Sequence, residues 1–153
     1  MTKREKAQGL FLNGYNCAQS VFAAFCDETG IDEATALKLS SPFGGGMGRM
    51  REVCGAVSGM FVVLGITDGY SEADGDETKL ALYKKVQDLA EIFRKNNGSI
   101  ICRELMKLPE STSDPAPEKR TPQYYEHRKS CIDAVGDAAE IIDNYLKQKF
   151  QSV

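Results

Sequence analysis

The chain has 153 residues and a formal net charge of −3, with 42% hydrophobic and 27% charged residues. This composition is typical of one globular domain with an apolar core, and it excludes a disordered or fibrous chain. Because lysine and arginine form only short runs, we expect neither DNA nor RNA as a partner.

Membrane insertion and secretion are also not expected. The charged N-terminal residues are not followed by an apolar segment, and the longest apolar stretch, residues 60–66, is far too short to span a bilayer. We therefore expect a cytoplasmic protein with no membrane span.

Apolar residues recur at three- and four-residue steps along most of the chain, and no stretch shows the strict alternation of a half-buried strand. This pattern predicts helices throughout, separated in the first third by glycines at 14, 30 and 44–46. The predicted helices cover residues 3–12, 16–28, 32–39, about 50–64, 76–96 and 121–150.

The helix predicted to begin near residue 50 has apolar residues around most of its circumference, which is typical of a buried helix. Its Gly55 and Gly59 share one face, although each costs about 1 kcal/mol relative to alanine. They would leave room for a bulky ligand or for another backbone, within the chain or in a homodimer. The predicted fold is thus all-α, a single domain over residues 1–153 with about six helices around a central glycine-containing buried helix.

Residues 109–121 contain three prolines and no apolar periodicity, which predicts a surface loop. The loop is either a mobile connector or a lid over a site.

The glycine-rich stretch FGGGMGRMREVCGAVSG, residues 43–59, matches neither G-x-G-x-x-G after a strand nor G-x-x-x-x-G-K-[ST]. Nucleotide binding is therefore excluded, although helix N-termini can hold smaller anions. Arg49, Gly55 and Gly59 are the candidate residues for contact with a cofactor or ligand.

Five cysteines, at positions 17, 26, 54, 102 and 131, form no C-x-x-C motif. Cys17, Cys54 and Cys102 lie near predicted helix starts, where unpaired N–H groups and peptide dipoles favour the thiolate. Arg49 and Arg51 would add to this effect at Cys54, so Cys54 is the expected nucleophile. Cys26 lies on the opposite side of the Cys17 helix, about 13 Å away, and is interpreted as a bystander.

The single histidine, His127, precedes Cys131 by one turn of the last predicted helix, on the same face. This pair could share a proton or a metal ion.

Taken in order, Asn16-Cys17, the GGGMGR segment at 44–49, the CGAVSG segment at 54–59, and single cysteines at 102 and 131 resemble the C_GCAxxG_C_C family of redox proteins. The resemblance spans most of the chain. It implies that Cys17, Cys54, Cys102 and Cys131 are the family's four cysteines, with Cys26 as an extra one, and it implies a redox activity without naming a substrate.

Three hypotheses follow. In the first, the protein is a thiol oxidoreductase: Cys54 attacks a disulfide or an oxidant, Cys102 or Cys17 resolves the intermediate, and the partner is a redox protein or a small thiol. In the second, Cys17, Cys54, Cys102 and Cys131, with His127, are ligands of zinc or an iron–sulfur cluster. In the third, which is purely structural, the cysteines fill the core, no cofactor is bound, and the face with Gly55 and Gly59 mediates helix contact within the chain or in a homodimer.

Overall fold

The computed structural model describes residues 1–110 and 112–151, and within them the regular structure is helical apart from one isolated β-bridge. The predicted all-α fold is confirmed. The helices are α1 (Lys3–Leu12), α2 (Cys17–Ala23), α3 (Cys26–Thr29), α4 (Glu33–Ser40), α5 (Gly44–Met47), α6 (Gly55–Asp68), α7 (Asp76–Asn97), α8 (Cys102–Leu105), α9 (Pro122–Glu126) and α10 (Lys129–Gln151), with a 3-10 turn at Ser41–Phe43.

Two predicted helices are each divided in the structure. The segment predicted at 16–28 becomes α2 and α3, because the chain tightens where the Phe25 N–H donates to Phe22 O at 3.0 Å. The segment predicted at 121–150 becomes α9 and α10, and a similar tight turn lies between them, with the Arg128 N–H donating to Tyr125 O at 3.1 Å. The second division changes the position of Cys131 in its helix, as described below.

Helix α6 begins at Gly55 rather than near residue 50. Arg49 and Arg51 have φ values of 68° and 63°, in the left-handed region, so the preceding segment cannot be helical. Val53 instead forms an antiparallel bridge with Ile101.

The centre of the fold is α6, as predicted. Every residue from Gly55 to Met60 is buried, and so are Val63 and Leu64. Helices α2, α7 and α10 pack around it. A single large cluster of buried apolar side chains from these helices and α1 forms the core.

The glycines of α6 allow close contact with α2. A Cβ atom on Gly59 would lie 2.7 Å from the Ala18 carbonyl oxygen, and one on Gly55 would lie 3.1 Å from the Cys17 Cβ atom. The face containing both glycines therefore packs against a helix of the same chain.

None of the helices in residues 1–110 and 112–151 has the length and apolar character needed to cross a bilayer.

Candidate functional site

A cavity of about 290 Å³ lies between the start of α2, the glycine-rich segment, α8 and the start of α10. Four cysteines line it, and they come from four separate parts of the sequence: Cys17, Cys54, Cys102 and Cys131. Cys26 is not among the lining residues. The structure thus brings together the four cysteines that the sequence analysis selected and leaves out the one it set aside.

Cys17 is held at the first residue of α2 by the preceding asparagine. The Asn16 Oδ1 atom accepts the N–H of Gln19 at 2.9 Å, which caps the helix. The Asn16 Nδ2 atom donates to Ser41 O at 3.0 Å and ties the start of α2 to the segment that precedes the glycines.

The glycine-rich segment allows the backbone to approach two of these elements. A Cβ atom on Gly44 would lie 2.4 Å from the Asn16 Cγ atom, and one on Gly46, where φ is +69°, would lie 2.6 Å from the Cys102 Cβ atom. Larger residues at either position would push the cavity wall apart. The glycines therefore serve close packing around the cysteines.

Cys54 and Cys102 are placed by the isolated bridge between their neighbours Val53 and Ile101. The Cys54 N–H donates to Ile100 O at 2.7 Å, and the Cys102 N–H donates to Glu52 O at 2.7 Å. This pairing fixes the starts of α6 and α8 beside each other.

The thiols of Cys17 and Cys131 line the same cavity, and each affects the ionisation of the other. The hydrogen bond from Cys17 lowers the pKa of Cys131, and the positive charges of Arg128 and Arg51 lower it further, against the opposing effect of burial. Interaction with Cys131, together with burial, raises the pKa of Cys17 well above its ordinary value. Of the two thiols, Cys131 is therefore the one that loses its proton more readily, and Cys17 the one that keeps it.

The expected activation of Cys54 is wrong. Burial raises the pKa of Cys54 to about 12, although the N–H groups of Ala56 and Val57 at the start of α6 act in the opposite direction. Burial also raises the pKa of Cys102, whose thiol lies near Arg51. Both side chains are only 6% exposed, so loss of solvation outweighs the helix-start effect on which the prediction rested.

Arg51 is buried, with 5% of its surface exposed, and lies beside sulfur atoms. Its Nη1 atom is 3.7 Å from the Cys102 Sγ atom and 3.6 Å from the Met106 Sδ atom, and its Nε atom donates to Thr112 O at 3.2 Å. It makes no ion pair within the described residues. The structure therefore places Arg51 at Cys102 and not, as expected, at Cys54.

Arg49 lines the cavity but is engaged by the loop that follows α8. Its Nε atom donates to Asp114 O at 2.8 Å, and its Nη2 atom lies 3.4 Å from the Glu118 Oε1 atom. Pro115, Pro117 and Glu118 of this loop also line the cavity. The segment predicted as a surface loop thus forms one wall of the site, with residue 111 outside the described part.

Two arginines and a tyrosine were missed by the sequence analysis. The guanidinium groups of Arg120 and Arg128 lie each 4.7 Å from the centre of the Tyr124 ring, and all three residues line the cavity. Arg128 also pairs with Glu118 at 2.7 Å. Arg128 lies in the turn between α9 and α10, for which the run of five polar residues at 126–130 was the available signal in the sequence.

Two expected site residues lie elsewhere. His127 is exposed at the end of α9 and is not among the residues that line the cavity, because the helix that was to align it with Cys131 is interrupted. Gly59 also does not line the cavity, because its face is covered by Ala18 and Val21 of α2. Gly55 does line it, next to Cys17.

Thiolates are suitable ligands for zinc and for iron–sulfur clusters, so the residue types fit such a group. In the described residues, however, no three His, Cys, Asp or Glu side chains converge closely enough to hold a metal ion. The arrangement is thus not that of a preformed metal site.

The family model described as "Putative redox-active protein (C_GCAxxG_C_C)" matches residues 15–145. No curated protein and no solved structure matches the chain. The matched region contains all four cysteines of the cavity and all of its arginines.

Proposed function

Since the chain belongs to the C_GCAxxG_C_C family, we propose that it is a thiol oxidoreductase in which Cys131 is the attacking thiolate and Cys17 the resolving thiol. The observation that carries this proposal is that Cys17 and Cys131 line one cavity together with Arg128 and Arg51, and the effects of Cys17 and of these two positive charges on the pKa of Cys131, which is lowered, support it. A thiolate is the nucleophile in disulfide exchange, and a second thiol in contact with it can complete the reaction.

The reaction begins when the Cys131 thiolate attacks one sulfur of a disulfide R–S–S–R. The Cys131–S–R bond forms as the S–S bond breaks, and the first half of the substrate leaves as a thiolate that takes a proton from water. Cys17 then loses its proton, attacks the Cys131 sulfur and displaces the second half. The substrate gains two electrons and two protons and becomes two thiols, while Cys17 and Cys131 become a disulfide.

The dithiol is restored by the same chemistry in the opposite direction. Two equivalents of a small thiol reduce the Cys17–Cys131 disulfide and leave as their own disulfide. A thiol of this class is therefore the proposed reductant.

Replacement of the resolving thiol tests this scheme. The Cys17→Ser variant, in which a hydroxyl donor remains beside Cys131, is treated with bis(2-hydroxyethyl) disulfide and is expected to accumulate one mixed disulfide on Cys131, measured by mass spectrometry of the peptides. The Cys26→Ser variant is the control, because Cys26 does not line the cavity, and it should form no stable mixed disulfide. An absence of label at Cys131 in Cys17→Ser would contradict the proposal.

A second candidate function is a metal or iron–sulfur module with Cys17, Cys54, Cys102 and Cys131 as ligands. The observation in its favour is that four thiols line one cavity. Analysis of iron and zinc in anaerobically purified protein, together with its absorption spectrum, distinguishes the metal module from the thiol oxidoreductase. A stoichiometric metal lost in Cys131→Ala would favour this candidate, and metal-free protein that reduces disulfides would favour thiol exchange.

A further inference from the structure

The cavity carries an excess of positive charge in a chain whose net charge is −3. Among its lining residues in the described part of the chain, one is a carboxylate, Glu118, and four are arginines: Arg49, Arg51, Arg120 and Arg128. A concave site lined by charges of one sign attracts ligands of the opposite sign.

We propose that the cavity binds small disulfides that carry carboxylate groups, with the arginines holding the carboxylates while Cys131 meets the sulfur. This inference rests on the proposed function, because it names the substrate class of the same site. The inference goes beyond the proposed function because it assigns a ligand to the arginines.

A carboxylate of the protein already occupies part of the proposed position. The Glu118 Oε1 atom accepts from the Arg128 Nη2 atom at 2.7 Å and lies 3.4 Å from the Arg49 Nη2 atom. The two arginine side chains are 12% and 22% exposed, whereas the Glu118 side chain is 44% exposed. The guanidinium groups are therefore fixed in the wall, and the carboxylate comes from an accessible loop and can be exchanged for that of a ligand.

The other two arginines have no carboxylate partner within the described residues. The Arg120 Nη atoms donate only to two backbone carbonyls, Phe11 O and Tyr15 O, each at 3.3 Å. The Arg51 Nη2 atom donates to no atom of the described residues. No fully buried side-chain nitrogen or oxygen atom there lacks a partner, so this Nη2 atom is accessible, on a residue that lines the cavity. An anionic ligand in the cavity would supply its partner.

The size of the cavity limits the ligand. A volume of about 290 Å³ lies at the lower end of the range for small-molecule sites. The site therefore fits a small molecule with carboxylate groups close to its disulfide, so that one molecule spans both the arginines and Cys131.

Three disulfides that have two methylene groups between each sulfur and its end group, but differ in charge, test the inference: 3,3′-dithiodipropionate is anionic, bis(2-hydroxyethyl) disulfide is neutral, and cystamine is cationic. Each rate of reaction with the protein is divided by the rate of the same disulfide with N-acetylcysteine amide, which removes intrinsic reactivity. At low ionic strength we expect the anionic disulfide to react about tenfold or more faster than the neutral one, and cystamine to be the slowest. In about 1 M salt, where the screening length is about 3 Å, the differences should largely disappear.

Glu118→Gln is the informative variant, because it removes the internal carboxylate that competes for Arg49 and Arg128. It should raise the ratio of the anionic to the neutral rate severalfold. Glu110→Gln is the matched control, since Glu110 is an exposed residue of the same loop with no ion pair in the described residues, and it should leave the ratio unchanged. Equal normalised rates for the three disulfides, or equal ratios in the two variants, would overturn the inference.

Binding of glutarate, a dicarboxylate without sulfur, separates failure of this inference from failure of the proposed function. Calorimetry should detect binding that is stronger in Glu118→Gln than in Glu110→Gln. Glutarate binding without reaction of any disulfide would support the anion site and refute the redox proposal. Rapid reaction of the neutral disulfide without glutarate binding or any charge preference would refute the anion site and support the redox proposal.

Discussion

Cys131 and Cys54 have the same side chain and line the same cavity, yet the pKa values of their thiols move in opposite directions. Cys54 is almost fully buried at the N-cap of α6, and burial there favours the neutral thiol. Cys131 lies in the first turn of α10, receives a hydrogen bond from Cys17 and faces two arginines. Compensation of the thiolate charge, rather than position at a helix start alone, therefore selects the nucleophile.

Removal of the Arg128 charge should make the Cys131 thiol less reactive. Arg128→Met removes a positive charge that favours the thiolate, so the pKa of Cys131 should rise. At a pH below that pKa, the rate of Cys131 alkylation by iodoacetamide should fall by about tenfold for each unit of the rise. The measurement is the pH profile of alkylation at Cys131, resolved by peptide mass spectrometry.

Lys129→Met is the control for this prediction, because it removes one positive charge from the neighbouring exposed residue, which does not line the cavity. The pH profile of Cys131 alkylation in Lys129→Met should remain close to that of the wild-type protein. An equal displacement in both variants would mean that overall charge, and not contact with Arg128, sets the pKa.

The sequence alone could select the four cysteines of the site but not rank them. Spacing along the chain and the resemblance to the family separated Cys26 from the others, and the structure then places Cys17 and Cys26 on two different helices, α2 and α3. The burial that raises the pKa of Cys54 is a tertiary property, created by the packing of α6 at the centre. The role of Cys131 depended on the turn at His127 and Arg128, where no glycine or proline marks the interruption.

At the level of elements, the contact between α2 and α6 positions Cys17 on the cavity wall. The Gly59 backbone lies against the Ala18 carbonyl group, one residue after Cys17. Glycine destabilises a helix intrinsically, but a larger residue at position 59 would separate α2 from α6 and disrupt their packing.

Gly59→Ala should destabilise the protein by about 1–3 kcal/mol, because its Cβ atom would lie 2.7 Å from a backbone oxygen that cannot move without α2. Gly65→Ala, in the same helix, meets no atom within 4 Å and should stabilise by up to about 1 kcal/mol. Denaturant unfolding of both variants measures the difference. A neutral or stabilising Gly59→Ala would contradict the packing argument.

Most helices could be predicted from apolar periodicity, and the glycines of α6 indicated a close approach without identifying the partner. The bounds of α1 and the start of α7 follow directly from local pattern. The start of α6 could not be predicted, because Val53 pairs with Ile101, a residue far along the sequence. Such pairing overrides local helical preference.

At the scale of the whole molecule, the end of α6 opposite the cavity is fixed by a charged network. The Asp68 carboxylate accepts from Lys85 at 2.9 Å, Lys149 at 2.6 Å and the Tyr145 hydroxyl, and it thereby joins α6 to α7 and α10. Burial alone would raise the pKa of Asp68, but these hydrogen bonds outweigh it and hold the pKa well below its usual range.

Asp68→Asn should lower the free energy of unfolding at neutral pH by about 2 kcal/mol, the magnitude expected for hydrogen bonds to a charged group. Because the folded-state pKa is depressed, the stabilisation is present above the unfolded-state pKa of about 4 and is lost progressively as the pH falls from there through the folded-state pKa. The difference between wild type and variant should therefore narrow in acid. Denaturant unfolding at several pH values measures it.

Asp143→Asn is the control, since Asp143 pairs with Lys147 within one helix and the lysine is 65% exposed. Its effect should stay within about 0.5 kcal/mol at every pH. A loss at Asp68 no larger than this would show that the network does not hold the three helices together.

Peptide mapping of the wild-type protein tests whether Cys131 and Cys17 form the redox pair of an arginine-lined cavity. The protein is fully reduced, treated with one equivalent of bis(2-hydroxyethyl) disulfide, alkylated and digested without reductant. We expect one new disulfide, between Cys17 and Cys131, with Cys26, Cys54 and Cys102 alkylated. A link between Cys54 and Cys102, or five alkylated cysteines with no link at all, would contradict it.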